Sequence, residues 1–401
     1  MATTFQQVPL QYLGKIIGGG TPTSEKAHWD GGVPFVTPPD LNGLQGAPIQ
    51  ETARHLTELG VAKGSNEVSQ GVLISCRAPV GYVGRITGRV SFNQGCKAIE
   101  LDNETVSRFL SYVLTSKRND LEVLANGTTF SEISSTSFGG LRVPLPPLDT
   151  QRAIADYLDR ETSEIDAMLD KLDGLGRLLE ERRRNAVESS FVDAAEHQVA
   201  PVGAVTFGHV GGTGLVGSQT PATDGELGVL KTSAISTGAY KPDENRSLES
   251  GELPEEYARV QKGMVLVNRL NSPSFVGASV YVDSEESNLY FTDKIWHLFI
   301  DQGQLNPMFF CYWTKTKAYR QNIMGTVVGT SASMLSLSYR DFERYRIPLP
   351  PLDEQERIVQ HLDETTARID AMLAKTQQLK DLLTERRSAL ITAAVTGQIE
   401  V

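Results

Sequence analysis

The hexapeptide Pro-Leu-Pro-Pro-Leu-Asp occurs twice in this chain, beginning at Pro144 and again at Pro348. Each copy opens a longer repeat. At a constant offset of 204 residues, segments 144–187 and 348–391 are identical at 23 of 44 positions without a gap. The stretches preceding the copies differ far more, yet landmarks recur. Gly71–Arg77 (GVLISCR) parallels Gly263–Arg269 (GMVLVNR), each a Gly, a strand-like apolar run and an Arg. FLSYVLTSK from Phe109 parallels FFCYWTKTK from Phe309, both reading as short helices, and NGTTFSEIS parallels GTSASMLSLS. A repeat of this kind constrains architecture before any single motif does. It divides the chain into variable unit 1–143, similar segment 144–198, variable unit 199–347 and similar segment 348–401. Duplication without a division of labour would let all parts drift alike, and the uneven divergence argues against it.

Proline has no N–H and a fixed φ, so the Pro-rich run stops a strand and cannot enter a helix interior. Asp149 and Asp353 then stand where helix N-caps belong, and Glu356 completes a capping-box-like pattern where the first copy has Arg152. Thr162 and Thr366 suggest a second start, hence a short helix, a break and a long helix. The long helix carries a heptad. Leu158, Ile165, Leu172, Leu179 and Ala186 recur every seventh residue, with Met168 and Leu175 between them. Leu362, Ile369, Thr376, Leu383 and Leu390, with Met372 and Leu379, repeat the pattern, and Arg182 and Arg386 interrupt both seams at the same place. Such spacing reads as a coiled-coil seam in which each helix partners the other. About 30 residues at ~1.5 Å give about 45 Å, longer than a small domain is wide. That length disfavours each helix lying only on its own globular unit. Gly174 and Gly176 allow either a close approach or a bend.

The formal net charge is −11, which taken alone opposes a simple electrostatic nucleic-acid binder. Its distribution changes that reading: residues 1–143 are neutral, 199–347 carry −2, and 144–198 and 348–401 carry −6 and −3. The helical segments therefore face solvent or protein. The variable units can touch DNA through clustered Arg and Lys, without the basic surplus that drives strong non-specific binding. A tight, salt-steep DNA affinity of the isolated chain is not expected.

No apolar run reaches the length of a membrane span, and MATTFQQVPLQYLGK lacks the layout of a signal peptide. Cys76, Cys96 and Cys311 are far apart, without CxxC spacing, indicating neither a disulfide framework nor a zinc site. A cytoplasmic protein is expected. Thr37–Asp40 (TPPD) lacks the polar first residue and the aromatic of an amino-methyltransferase loop that holds a flipped base, and reads as a turn. The glycine runs at Gly18 and Gly211 lack the surroundings of a phosphate loop. Neither HExxH nor GxSxG occurs, and the six His show no ligand spacing. No catalytic constellation stands out and no metal site is read.

Two variable units alternating with two similar helical segments, the (V/I)PLPPLDxQ runs, the following LD…IDAML, the LLxERR runs and the closing AVTGQIEV resemble the specificity subunits of Type I restriction–modification enzymes. The resemblance covers essentially the whole chain, departing at Thr150 where the second copy has Glu354. It implies an α+β fold: two mixed α/β target recognition domains separated by two long antiparallel coiled-coil helices, as a pseudo-twofold internal repeat. It implies a non-catalytic subunit in which each domain reads one half of a bipartite asymmetric site in double-stranded DNA. The helices would serve as a spacer and dock two modification (methyltransferase) subunits, to which restriction subunits bind. S-adenosylmethionine, ATP and Mg would belong to those partners, with no cofactor on this chain. A helix of about 45 Å would set the half-sites somewhat more than one DNA turn apart. The competing readings are a single-chain restriction or modification enzyme, which would need a catalytic motif set, and a scaffold that binds only protein.

Phosphate contacts position a protein on DNA and base-edge contacts specify. Arg77 and Arg269 end equivalent strands and could grip guanine or phosphate, or form structural ion pairs. Asn93, Gln94 and Lys97 place amide and cationic donors in one loop-like stretch, and Thr292, Asp293 and Lys294 lie in a comparable place. Thr128, Thr129, Ser331 and Ser333 combine hydroxyls with flexible Gly-rich runs, which ordinary turns also explain.

Overall fold

The computed structural model describes residues 5–126, 132–194, 197–223, 225–249, 251, 254–286, 288–331 and 334–401. By its contacts the chain divides into two compact units, one comprising Met1–Asp173 with Gln377–Val401 and the other Gly174–Thr376. Both boundaries fall inside helices, so each unit contains one variable segment, part of the helix that follows it, and part of the other long helix.

The two units share a topology that their sequences barely show. In the first, an antiparallel sheet runs in the order Lys15–Gly18, Cys96–Glu100, Gly71–Ser75, Val83–Ile86. The second unit repeats this order as Thr206–Gly211, Ile295–Ile300, Val265–Asn268, Ser279–Tyr281. A second sheet in each unit is built around one parallel pair, Trp29–Val36 with Val90–Phe92 and Gly228–Leu230 with Leu289–Phe291. The expected short helices are present as Glu104–Ser116 and Pro307–Trp313, each started by an Asn, Asn103 or Asn306, whose side chain accepts from the first turn.

Each variable segment is closed by pairing its opening strand with its last. Gln7–Pro9 pairs with Arg142–Pro144, and Val199–Pro201 with Arg346–Pro348. Arg142 and Arg346 repeat one more contact, each donating to a carbonyl of the opening strand, of Gln7 and Val199 respectively. The repeated prolines thus end a two-stranded ribbon, where a missing N–H costs least.

Two sequence expectations are corrected here. The segments after PLPPLD are not a short helix, a break and a long one. Each is a single helix, Leu148–Ala194 and Leu352–Thr396, about 70 Å long at ~1.5 Å per residue. Thr162 and Thr366 lie mid-helix, where their hydroxyls donate to the carbonyls of Leu158 and Leu362 and so need no break. Nor do Asp149 and Asp353 cap these helices. Pro147 and Pro351 precede the first helical residue and their carbonyls receive the N–H of Gln151 and Gln355, leaving the aspartates in the first turn facing the positive end of the helix.

The second correction concerns the seam. Leu158, Ile165, Leu179, Leu362, Ile369 and Leu383 are buried, and Leu172 and Leu390 are partly so, as expected. The row that accompanies them is Thr162, Leu169, Gly176 and Arg183, with Thr366, Leu373, Lys380 and Arg387 in the second helix. Met168, Leu175, Met372 and Leu379 are about half exposed, and Arg182 and Arg386 lie on that outer row. Apolar character picked the wrong row because ion pairs hold the right one. In the first unit Arg387 pairs with Asp166 at 2.9 Å and Lys380 with Asp173 at 2.5 Å. Seven residues forward in one helix match seven backward in the other, so these helices run antiparallel. In the second unit Arg183 pairs with Asp370 at 3.4 Å, the same contact one repeat later. A Cβ at Gly174 or Gly176 would touch nothing within 4 Å, which removes the close-approach reading of these glycines.

The cores explain why both helices belong to both units. In the first, Val72, Ile74, Ile99, Phe109 and Phe138 are joined by Ile154 and Leu158 from the first helix and by Ile391 and Val395 from the second. In the second, Val265, Trp296, Phe309, Phe310 and Phe342 are joined by Val187 and Phe191 from the first helix and Leu362 from the second.

A buried clamp repeats beside each core. Tyr112 donates to Asp159 at 2.6 Å with Thr162 3.3 Å away, and Tyr312 donates to Asp363 at 2.6 Å with Thr366 at 3.3 Å. The glutamine that follows PLPPLDx is buried in both copies: Gln151 donates to the Pro146 carbonyl and Gln355 to the Pro350 carbonyl, each at 2.8 Å. Gln355 also donates to the Gln304 carbonyl and accepts from the Asn306 N–H, whereas the Gln151 oxygen has no partner among the described residues. Gln355→Ala should therefore cost about 3 kcal/mol and Gln151→Ala about 1 kcal/mol, near 1 kcal/mol per lost bond. Urea denaturation of the two variants checks the difference.

Candidate nucleic-acid interface

In each unit the parallel pair and one strand of the other sheet bring three chain segments to one edge. In the first, Thr37 follows the strand Trp29–Val36, the turn Asn93–Cys96 follows Val90–Phe92, and Gly18–Gly20 follows Lys15–Gly18. Residue-by-residue equivalents in the second unit come from register. Val36 pairs with Phe92 as Leu230 pairs with Phe291, so Thr37 matches Lys231 and Asn93–Gln94–Gly95 matches Thr292–Asp293–Lys294. Both turns close by the same bond, Cys96 N–H to the Asn93 carbonyl and Ile295 N–H to the Thr292 carbonyl. Phe35 pairs with Arg54 as Val229 pairs with Arg246, which makes those arginines equivalent.

The glycine runs are explained by this edge. A Cβ on Gly19 would lie 1.9 Å from the Asn93 carbonyl oxygen, and one on Gly212 1.9 Å from that of Phe291. These glycines let the chain leaving Lys15–Gly18 and Thr206–Gly211 cross the turn, as a backbone contact no larger residue permits.

The predicted readers separate into groups. Arg77 is exposed but pairs with Glu132 at 2.8 Å. Lys97 is corrected from a surface donor to a buried one: it is 6% exposed, 3.3 Å from Glu132 and 3.6 Å from the Cys76 sulfur. The cause is register, since Lys97 occupies the place that Trp296 fills in the second unit's core. Burial acts to raise the Glu132 carboxyl, but hydrogen bonds from Arg77 and Lys97 outweigh it and hold the group below the ordinary value of 4.5. Asn93 accepts from Gly95 N–H and so shapes the turn, while Gln94 is exposed at its tip and accepts from Thr21.

In the second unit, Arg269 lies 6.0 Å over the Trp296 ring, with its Nε buried and without a partner among the described residues. Trp296 and Tyr339 enclose His209, whose pKa is lowered by burial and by Arg269. Thr292 and Lys294 line a groove of about 270 Å³ together with Lys231, Arg246 and Asp293. Lys231 is held by Glu244 at 2.7 Å, whereas Arg246 and Lys294 have no ion pair among the described residues. Lys231 and Arg246 were missed by sequence reasoning because only strand register brings them to the groove, whereas their register equivalent Arg54 stacks 3.4 Å over the Trp29 ring. Thr128, Thr129 and Ser333 lie outside the described residues, and Ser331 ends the strand Val328–Ser331.

Glu132→Gln should leave the buried Lys97 charge without its counter-ion and cost about 2 kcal/mol. The carboxylate's contribution is complete above 4.5 and is lost as pH falls through its lowered value. Denaturation of wild type and variant between pH 3 and 7 should therefore show their stabilities converging only at the acid end.

Among the described residues, no helix is long and apolar enough to cross a membrane. A family model described as the Type I restriction modification DNA specificity domain matches residues 3–175 and 244–381. The chain is 23% identical over 323 residues to the Type I restriction enzyme EcoKI specificity subunit of Escherichia coli K12, covering 77% of this chain and 69% of that one. It is 28% identical over 186 residues to the MjaIX specificity subunit of Methanocaldococcus jannaschii, and spans only 42% of that protein's length. Two solved structures share the fold. A chain from work on complex assembly and conformational transition of the type I R-M system has a TM-score of 0.67 at 16% identity, covering 99% of this chain and 98% of that one. The HsdS subunit of Thermoanaerobacter tengcongensis has a TM-score of 0.50 at 17% identity, with 99% and 97% covered. With a family model matching well over half its length, and with this repeated fold, the chain belongs to the Type I restriction–modification DNA specificity family, the non-catalytic subunits that give those systems their DNA sequence specificity.

Proposed function

We propose that this chain selects the target of a cytoplasmic Type I restriction–modification complex by reading a bipartite, asymmetric DNA site, one half with each recognition unit. The observation that carries this reading is the conserved frame with divergent edges. Both units place the same strands, the same turn and the same glycine crossing at one edge, and fill that edge with different side chains. An edge of Thr37, Asn93 and Gln94 cannot present the same donors as one of Lys231, Asp293 and Lys294, so the two half-sites differ.

The long helices act as spacer and dock two methyltransferase subunits, which in turn carry restriction subunits. Support comes from the exposed row that the seam leaves outside. Met168, Leu175 and Leu178 are 48%, 44% and 64% exposed, and their repeats Met372, Leu379 and Leu382 are 51%, 46% and 54% exposed. The same apolar triad at a constant offset suits two copies of one partner, each meeting an equivalent surface. S-adenosylmethionine, ATP and Mg belong to those partners in this reading.

Deletion of the gene from its host should abolish one split adenine-methylation motif, read by whole-genome methylation mapping; an unchanged methylome in a host that expresses the methyltransferase partner overturns the proposal. Replacing Met168 and Met372 together by Glu should reduce co-purification of the methyltransferase at least tenfold while thermal stability stays near that of wild type, because both side chains are half exposed.

A further inference from the structure

The turn that closes the parallel pair carries different chemistry at its tip in the two units. In the first unit the two central residues are Gln94 and Gly95. A side chain at Gly95 would meet Pro38 at 3.0 Å and the Asn93 side chain at 3.1 Å, so this turn presents one amide and nothing beside it. In the second unit the central residues are Asp293 and Lys294, both exposed and both lining the groove shared with Lys231 and Arg246.

The Asp293 turn is braced from both sides. The Asp293 N–H donates to the Thr213 carbonyl at 2.8 Å, and the Lys294 carbonyl accepts from Arg269 N–H at 3.0 Å. The Thr292 hydroxyl donates to one carboxylate oxygen of Asp293 at 3.0 Å, which leaves the other oxygen to accept from a ligand.

Resting on the reading of this chain as a DNA specificity subunit, we propose that Asp293 and Lys294 read one G·C base pair in the half-site of the second recognition unit. Two arguments favour a base edge over the phosphate backbone at this tip, and a third selects the base pair. A site for phosphate alone gains nothing from a carboxylate at its centre, since two anions repel. An acceptor and a cationic donor on adjacent residues match what one G·C pair presents in the major groove: the cytosine N4 amino group donates, and guanine N7 and O6 both accept. A·T offers no base with two adjacent acceptors for a cation. Arg246, on the strand Asn245–Ser247, and Lys231, directly after Gly228–Leu230, line the same groove and are less exposed. The first unit's tip, a lone exposed amide, is outside this proposal.

The test uses the assembled complex of full-length chain with its methyltransferase subunit, and a panel of duplexes in which each base pair of the recognised site is replaced singly. For wild type, replacing one G·C pair in one half-site should reduce methylation by tenfold or more, as loss of a matched contact worth about 1.4 kcal/mol requires. Asp293→Asn and Lys294→Gln should lose that discrimination at this one pair only. Discrimination at the other positions of both half-sites should stay within twofold of wild type, which also shows that the variants fold and assemble. Discrimination unchanged at every pair overturns the proposal, as does an equal loss at every pair, which marks a structural role for the turn. A wild-type complex indifferent to every replacement contradicts the specificity-subunit reading itself, and so separates that failure from this one.

Discussion

The structure depends on antiparallel contact between two long helices that lie far apart in sequence. In the first unit, Arg387 reaches Asp166 from a position only 7% exposed, and it also contacts Gln45 of the recognition segment. A guanidinium placed that deep needs its carboxylate, because an unmatched charge there is strongly destabilising. The pair therefore specifies alignment more than it adds stability. The Lys380–Asp173 contact repeats it seven residues on, so both charge pairs fix the antiparallel direction of the two helices. In the second unit Arg183 and Asp370 make the equivalent contact with a more exposed arginine.

From that alignment follows the composition of each core. The start of one helix and the end of the other both supply apolar residues to the same cluster, as Leu158 and Ile391 do in the first unit and Leu362 and Phe191 in the second. Neither recognition segment has a complete core from its own residues alone. The PLPPLD repeat then reads as a joint. Its prolines end a ribbon, the glutamine that follows pairs the carbonyl of the second proline, and a tyrosine from the variable segment donates to the aspartate immediately after the first heptad leucine. Hydrogen bonds of this kind fix direction as well as contact, which accounts for two copies of the joint with nearly the same geometry.

In the proposed function, specificity lies in what the joint leaves free. The strand order, the parallel pair and the glycine crossing are common to both units, while Thr37, Gln94 and Gly95 in one stand where Lys231, Asp293 and Lys294 stand in the other. A rigid frame with variable tips is how a binding site changes its ligand without changing its fold.

The repeat, the two-unit organisation, the strand around Gly71–Arg77 and the buried row from Leu158 to Leu383 were all legible in the sequence, because identity at a fixed offset and a seven-residue apolar period are local properties. The second row of the seam was not. Met168 and Leu175 outweigh Gly176 and Arg183 on hydrophobicity, and only the aspartates of a helix some two hundred residues away reverse that order. The continuity of each long helix was hidden in the same way, since Thr162 and Thr366 look like caps until their hydroxyls are seen bonded to the preceding turn. Lys97 and Lys294 read alike along the chain, yet register buries one beside Glu132 and leaves the other at an exposed tip. Sequence by itself determined the architecture and its duplication. Tertiary structure decided which face of each helix is inside and which cations meet solvent, because burial and charge pairing depend on residues distant in the chain.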